Sequence, residues 1–252
     1  MIKIYYSKTK EEAGTKAALS IADTVNSKKD AVLGLATGSS PLDMYAELVR
    51  MYRDGSVSFE SVKSVNLDEY VGLSAENDQS YAYFMRANLF DSIDIKQENT
   101  NIPNGLAEDY DAECKRYDSL IESLGGIDLQ VLGIGLNGHI GFNEPSDNFS
   151  EGTMLVHLAE STIKANSRFF NDVSEVPTMA FSMGIGQIMS AEKIILLVNG
   201  EQKADILEKA LFGKITPEVP ASILQTAADV EVFADEQALS KIISLHNECV
   251  IR

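Results

Sequence analysis

Residues 131–145 contain the side chains best suited to acid–base chemistry. Asn137, His139 and Glu144 place an amide, an imidazole and a carboxylate close together after an apolar run. An imidazole exchanges a proton near neutral pH, and a nearby carboxylate can orient its ring. The chain has three histidines in all, and we interpret His139 as catalytic. The alternative is a structural turn in which its ring bonds to the backbone.

The same stretch imitates a dinucleotide-binding motif. Gly133, Gly135 and Gly138 match the pattern Gly-x-Gly-x-x-Gly after a predicted strand. That motif requires a helix that begins at the third glycine and holds a pyrophosphate at its N-terminus. Gly141 and Pro145 oppose such a helix. The sequence therefore argues against a nicotinamide cofactor site.

A small polar loop, Thr37-Gly38-Ser39-Ser40-Pro41, follows another predicted strand. Pro41 suits the first turn of a helix, with Ser40 as its N-cap. Free N–H groups at the start of a helix bind anions, and nearby hydroxyls add donors. Gly38, Ser39 and Ser40 are therefore candidates for binding a phosphate. The alternative is a capped helix that binds no ligand.

Asp68 and Glu69 end a third predicted strand. Adjacent residues of a strand point to opposite faces, so only one of the two carboxylates can face a given ligand. Such a carboxylate could act as a general base. It could equally cap the helix that follows the loop, and the spacing alone leaves both readings open.

The elements that must position these residues alternate along the whole chain. Strands are predicted at 2–6, 31–36, 62–67, 127–134, 178–182, 193–198 and 229–233, and helices near 9–28, 41–54, 79–91, 107–124, 203–213 and 235–246. Several strands are apolar without alternation, which is typical of a parallel sheet covered by helices on both faces. We predict an α/β fold with a three-layer, doubly wound, mostly parallel sheet, in a single domain over residues 1–252. Ligands bind such sheets at the carboxyl ends of the strands, where the three polar groups lie.

The composition narrows the choice of partners. The chain has 21 basic and 38 acidic residues and a net charge of −17, which argues against a nucleic-acid partner. A small phosphorylated ligand remains compatible with this charge, because it needs only a few donors. Cys114 and Cys249 are not spaced like the ligands of a metal site. The N-terminus is typical of a strand, and no apolar run is long enough to span a membrane. We expect a cytoplasmic protein without a membrane partner.

Together these residues resemble the glucosamine-6-phosphate deaminases of the sugar-phosphate isomerase and deaminase superfamily. The resemblance runs essentially from end to end. It is carried by Thr37-Gly38-Ser39-Ser40-Pro41, Asn66-Leu67-Asp68-Glu69-Tyr70-Val71-Gly72, Gly138-His139-Ile140-Gly141-Phe142-Asn143-Glu144-Pro145 and Ala165-Asn166-Ser167-Arg168-Phe169-Phe170. The third segment is specific, because related 6-phosphogluconolactonases follow Gly-His with a different stretch. Related sugar-sensing repressors begin with a helix-turn-helix, whereas this chain begins with a predicted strand.

The resemblance implies a fold of the Rossmann-like, sugar-phosphate isomerase type and a reaction. Glucosamine 6-phosphate would be isomerised and deaminated to fructose 6-phosphate and ammonium, in the catabolism of amino sugars such as N-acetylglucosamine, without a metal or organic cofactor. The implied catalytic residues are Asp68, Asn137, His139 and Glu144. The implied phosphate-binding residues are Gly38, Ser39, Ser40, Arg168 and Lys203. A lid is expected at about residues 145–175.

Two alternatives and two departures accompany the resemblance. The alternatives are a hydrolase like the 6-phosphogluconolactonases and a phosphosugar-sensing module of the same fold. Many regulated relatives have aspartate in place of Asn137. They also carry basic residues where this chain reads Thr-Met-Leu-Val-His over 153–157, so we expect weak or no activation by N-acetylglucosamine 6-phosphate. Relatives range from monomers to hexamers, and both a monomer and a homo-oligomer agree with the sequence.

Overall fold

A computed structural model describes residues 1–158, Ile163, Asp172 and residues 176–252. Its strands are β1 (Ile2–Ser7), β2 (Val32–Leu35), β3 (Lys63–Asn66), β4 (Asp68–Tyr70), β5 (Thr100–Asn101), β6 (Leu129–Leu132), β7 (Met154–His157), β8 (Met179–Ser182), β9 (Lys193–Val198), β10 (Val230–Asp235) and β11 (Val250–Ile251). Its α-helices in the described residues are α1 (Lys10–Ser27), α2 (Leu42–Arg53), α3 (Tyr81–Asn88), α4 (Tyr110–Ser123), α5 (Ile185–Met189), α6 (Ala204–Phe212) and α7 (Ser240–His246). The elements follow the predicted alternation, with most boundaries within a few residues.

The large sheet has eight strands in the order β11-β1-β10-β9-β6-β2-β3-β5, and every pair is parallel. All residues of β2 and β6 are buried, because helices cover both faces of the sheet. This confirms the predicted α/β fold with a mostly parallel sheet. Helix α1 packs closely on α2, where a Cβ on Gly14 would lie 2.8 Å from the Cβ of Asp43.

The strand order reverses between β2 and β6. These strands are neighbours, but the chain continues from β2 to β3 on one side and from β6 to β9 on the other. The loops after β2 and β6 therefore leave the sheet in opposite directions and open a crevice between them. Both loops were candidates for chemistry in the sequence, and the topology brings them to the same crevice.

A second sheet of three antiparallel strands has the order β4-β8-β7. The sequence predicted β8 as a strand, but it lies outside the parallel sheet, and β4 and β7 were not predicted. Leu67 joins the two sheets. Its N–H donates to Leu35 O of the large sheet at 3.0 Å, and its carbonyl accepts from Met183 N, beside the small sheet, at 2.8 Å.

The small sheet has its own apolar cluster. Tyr70, Phe142, Leu158 and Ala180 form it, and the ring of Tyr81 lies 4.6 Å from that of Tyr70 and 6.3 Å from that of Phe142. Phe142 belongs to the loop after β6. The cluster therefore packs strand β4 against the loop that carries His139.

Three further observations concern the rest of the molecule. Cys114 and Cys249 are both free thiols. His246 stacks on Phe212 at 3.9 Å between ring centroids and lies away from the crevice loops on α7. Among the described residues, no helix has the length and apolar character needed to cross a bilayer.

Candidate active site

The loop after β2 leads into α2 without a side-chain cap. Helix α2 begins at Leu42, with Pro41 in the cap position. The prediction of Ser40 as the N-cap is therefore wrong, because Pro41 occupies that place. The hydroxyl of Ser40 instead faces the loop after β6, 3.6 Å from the position that a Cβ on Gly133 would take. The first N–H groups of α2 have no side-chain acceptor and point toward the crevice end of the sheet.

Lys203 reaches the same place from the loop after β9. It ends the single turn Glu201–Lys203 that precedes α6. Its Nζ donates to the carbonyl of Ile134 at 2.7 Å, and burial lowers the pKa of this ammonium group. Ser40 and Lys203 thus approach two consecutive residues, Gly133 and Ile134. An anion placed between them would meet hydroxyl, N–H and ammonium donors together.

The loop after β6 brings Asn137, His139 and Glu144 together. One carboxylate oxygen of Glu144 accepts a hydrogen bond from Asn137 Nδ2 at 2.5 Å. The other lies 3.2 Å from His139 Nδ1, within ion-pair distance but off the direction of a hydrogen bond. The backbone N–H of His139 donates to Asn137 Oδ1 at 3.2 Å. Glu144 therefore lies between the amide and the imidazole and restrains both.

Buried polar contacts hold this loop in shape. Asn143 Nδ2 donates to the carbonyls of Ile140 at 2.9 Å and Met183 at 2.8 Å. The N–H of Phe142 donates to Ser182 Oγ at 3.0 Å. The chain makes turns between residues 133 and 143 and no helix begins at Gly138, so the dinucleotide motif lacks the element that it requires.

Asp68 and Glu69 divide the two roles that the sequence left open. Glu69 caps α3, because its carboxylate accepts from the N–H groups of Tyr70, Tyr81 and Ala82 at 2.8, 2.9 and 2.8 Å. Burial raises the pKa of Glu69 to about 7, although these three donors act to lower it. Asp68 is also buried. Burial, and then the charge of Glu69, raise the pKa of Asp68 from an ordinary 3.8 to about 8.

Three tyrosines interact electrostatically with Asp68, and the sequence did not single them out: Tyr45 and Tyr117 are buried and Tyr81 is partly buried. Tyr45 Oη donates to Ala36 O at 2.6 Å, and Tyr117 Oη donates to Asn66 O at 2.8 Å. Burial raises the pKa of both phenols, and the charge of Asp68 raises it further. The pKa of Tyr81 is raised as well, first by burial and then by the charges of Tyr70 and Asp68. No spacing rule marks these residues, because they come from three separate helices.

Two predicted features lie outside the described residues. Arg168 is one, and most of the second half of the segment 145–175, expected to be a lid, is the other. In the part of the chain that the structure describes, no group of three or more His, Cys, Asp or Glu side chains is arranged to hold a metal ion.

Residues 7–233 match the family described as glucosamine-6-phosphate isomerases/6-phosphogluconolactonase. The chain belongs to this family. Among its members, the glucosamine-6-phosphate deaminase of Lachnoclostridium phytofermentans is 56% identical over 232 residues, which cover 92% of this chain and 98% of that protein. The glucosamine-6-phosphate deaminase of Clostridium perfringens, strain SM101, is 51% identical over 237 residues, which cover 94% of this chain and 98% of that protein.

Two solved structures have the same fold as this chain. A monomeric glucosamine-6-phosphate deaminase superposes with a TM-score of 0.92 at 46% identity, covering 95% of this chain and 99% of that one. The 6-phosphogluconolactonase of Trypanosoma brucei superposes with a TM-score of 0.75 at 17% identity, covering 96% of this chain and 99% of that one. The second likeness concerns the fold alone, because the sequences have diverged so far.

Proposed function

We propose that this protein is an enzyme that isomerises and deaminates glucosamine 6-phosphate to fructose 6-phosphate and ammonium. The observation that carries the proposal is the meeting of two loops at the reversal of strand order. The loop at Ser40 offers donors for a phosphate, and the adjacent loop holds His139 beside Glu144. Relatives more than half identical to this chain are named glucosamine-6-phosphate deaminases, which supports the same substrate here.

The phosphate of the substrate binds between the loops after β2, β6 and β9. The N–H groups and hydroxyls of Gly38, Ser39 and Ser40 surround it, and the Lys203 ammonium, next to Ile134, supplies positive charge. We assign Arg168 to the same phosphate from the resemblance of its segment. Because the chain carries a net charge of −17, these local cations must overcome a repulsive overall field.

His139 opens the sugar ring. Its imidazole accepts the proton of the C1 hydroxyl, C1 becomes a carbonyl as its bond to the ring oxygen breaks, and the imidazolium returns the proton to that oxygen. Glu144 fixes the ring from its Nδ1 side at 3.2 Å, and Asn137 holds the second oxygen of Glu144. The exposed fractions of the His139 and Glu144 side chains, 27% and 26%, leave the pair accessible to a ligand in the crevice.

Asp68 then moves a proton between carbons. It removes the C2 proton of the open-chain sugar, whose amino group conjugates into a cis-enolamine, and returns the proton to C1. The resulting C2 imine adds water and releases ammonium, leaving fructose 6-phosphate. A carboxylate whose pKa lies near 8 is a much stronger base than an ordinary aspartate and suits this step.

The direct test is to incubate the purified protein with glucosamine 6-phosphate and to measure ammonium and fructose 6-phosphate. We expect equal amounts of the two products. Hydrolysis of 6-phosphogluconolactone without ammonium release would favour the lactonase alternative. Tight binding of the sugar phosphate with no product would identify a sensing module.

We further propose a cytoplasmic location and a small phosphosugar as the principal partner. Both cysteines are free thiols, which is typical of a reducing compartment. Cell fractionation with an antibody against the protein would test the location, and recovery in an extracellular fraction of intact cells would contradict it.

A further inference from the structure

The imidazole of His139 lies directly on the backbone of Gly135. A Cβ built on Gly135 would come within 2.5 Å of three ring atoms, Cε1, Nε2 and Cδ2. Carbon atoms in contact are normally separated by about 3.5 Å or more. The ring therefore occupies the volume that any side chain at position 135 would need.

The three distances also define the orientation of the ring. The built Cβ is almost equally far from Cε1, Nε2 and Cδ2. If the Cβ lay in the plane of the ring, beyond its edge, it would be clearly closer to Nε2 than to the two carbons. Because the three distances are similar, the Cβ lies over the face of the ring. Gly135 therefore contacts one face of the imidazole and does not block Nε2 in the plane of the ring. Nδ1, on the other side of the ring, lies beside Glu144.

The backbone fixes this support relative to the histidine. The N–H of Gly135 donates to the carbonyl of His139 at 2.9 Å, and its own carbonyl accepts from Gly138 N at 3.1 Å. Residues 135 and 139 therefore belong to one closed turn. The ring cannot escape a side chain at position 135 unless it moves relative to the turn.

Backbone conformation does not explain the glycine. Gly138 and Gly141, in the same loop, have positive φ values of 89° and 55°, whereas φ of Gly135 is outside the positive range. An alanine could adopt the backbone of residue 135 without strain. What excludes it is the end of one flexible side chain, and a flexible side chain can move without unfolding the protein.

We propose that Gly135 is a positioning residue that acts through His139, because its bare backbone is the surface that holds the imidazole in the orientation needed for ring opening. This inference rests on the proposed function for the role of His139, but the placement of the ring does not. Gly135→Ala should therefore fold normally and shift the imidazole by about 1 Å. A displacement of that size at a reacting group can cost roughly 100-fold in rate.

The first experiment follows the ring directly. We expect Gly135→Ala to change the ¹H–¹⁵N signals of the His139 ring in NMR spectra, with His157 and His246 unchanged. Gly133→Ala is the matched control, since a Cβ there meets Ser40 Oγ at 3.6 Å and Ser40 Cβ at 3.8 Å, both ordinary contact distances, and does not approach His139. It should leave the His139 signals as in the parent protein. Unchanged His139 signals in Gly135→Ala would overturn the proposal even if the protein had no deaminase activity.

The second experiment is a double-mutant cycle on kcat, with KM measured alongside. Gly135→Ala should lower kcat by roughly 100-fold and change KM by less than about threefold, because the phosphate contacts are intact. In the background of His139→Ala, where no ring remains, the same substitution should cause no further loss. A full additional loss in that background would mean that Gly135 acts on the fold and not through His139, and would reject the proposal.

Failure of the proposed function has a different signature. If the parent protein released no ammonium but Gly135→Ala still moved the His139 signals, the reaction would be wrong and the placement of the ring would stand. If ammonium were released normally by both proteins, the reaction would stand and the role of Gly135 would be wrong.

Discussion

Asp68 and Glu69 are consecutive residues of β4, and of their two carboxylates only that of Glu69 accepts hydrogen bonds from backbone N–H groups among the described residues. Its carboxylate accepts hydrogen bonds from two N–H groups at the start of α3, those of Tyr81 and Ala82, and from the N–H of Tyr70. Among the described residues, none donates a hydrogen bond to the carboxylate of Asp68, whose pKa is raised by burial and by the charge of Glu69. One carboxylate is therefore structural, and the other is available to bind and release a proton.

Asp68→Asn should abolish most of the activity without abolishing binding. Loss of a general acid–base group typically costs about two to four decades of rate, so we expect kcat for glucosamine 6-phosphate to fall by roughly that factor. Affinity for an acyclic amino-alditol 6-phosphate, which needs no ring opening, should remain within about threefold because the phosphate site is unchanged. Asp23→Asn, an exposed position on α1, is the control for loss of one charge. An Asp68→Asn enzyme with parental kcat would remove Asp68 from the mechanism.

The rate should depend on the ionisation of Asp68. Because the base must be deprotonated, kcat/KM should fall about tenfold per pH unit below the pKa near 8. Glu69→Gln removes the charge that raises this pKa, so the acidic limb of the profile should move to lower pH. The same change weakens the cap of α3 and should cost about 1–3 kcal/mol in the free energy of unfolding, measured by urea denaturation. A profile that stays in place after Glu69→Gln would contradict the electrostatic coupling of the two residues.

Asp68 should also lower stability at high pH. The unfolded chain loses this proton near pH 3.8, whereas the folded protein keeps it up to about pH 8. Between these values the folded state binds the extra proton, so stability falls as pH rises and the loss is complete above the folded pKa. Asp68→Asn has no charge to bury, and its Tm at about pH 8.5 should exceed the parent value by at least about 2 °C. The difference should nearly vanish at about pH 4, and equal Tm values at both pH values would disprove the linkage.

Lys203→Met should weaken binding of the phosphate. Methionine keeps most of the apolar stem and removes the ammonium group next to Ile134. A hydrogen bond to a charged group contributes about 1.5–3 kcal/mol, so KM for glucosamine 6-phosphate should rise roughly 10- to 100-fold with a smaller change in kcat. The kcat/KM for glucosamine without its phosphate should not change. Lys209→Met, an exposed position on α6, is the control, and parental KM in Lys203→Met would show that Lys203 does not contact the phosphate.

The long apolar and amphipathic segments could be predicted from the sequence, and the short strands could not. Strands such as β9 (Lys193–Val198) are buried and apolar after their first residue, so their composition alone identifies them. Strand β4 has three residues, two of them acidic, and it forms only because β8 pairs with it. The sequence placed β8 correctly but could not show that it belongs to a separate antiparallel sheet, because pairing partners far apart in the chain leave no local pattern.

The candidate site was predictable where its residues share a loop. Asn137, His139 and Glu144 are close in sequence, and the structure brings them into contact. The residue pattern could not decide between Asp68 and Glu69, because strand alternation separates the two faces without saying which face meets the crevice; only the family resemblance favoured Asp68. The contact between His139 and Gly135 was not predictable for a similar reason. Only the folded structure shows that the imidazole occupies the space that a side chain at position 135 would need.

In the proposed mechanism, Leu67 lies between the residues that bind the phosphate and the residue that transfers the proton. The loops proposed to bind the phosphate follow strands of the parallel sheet, whereas Asp68 lies on the three-stranded sheet, next to Leu67. A protein with this fold could therefore change the residue that transfers the proton, and with it the reaction, while it continued to bind the same phosphate group.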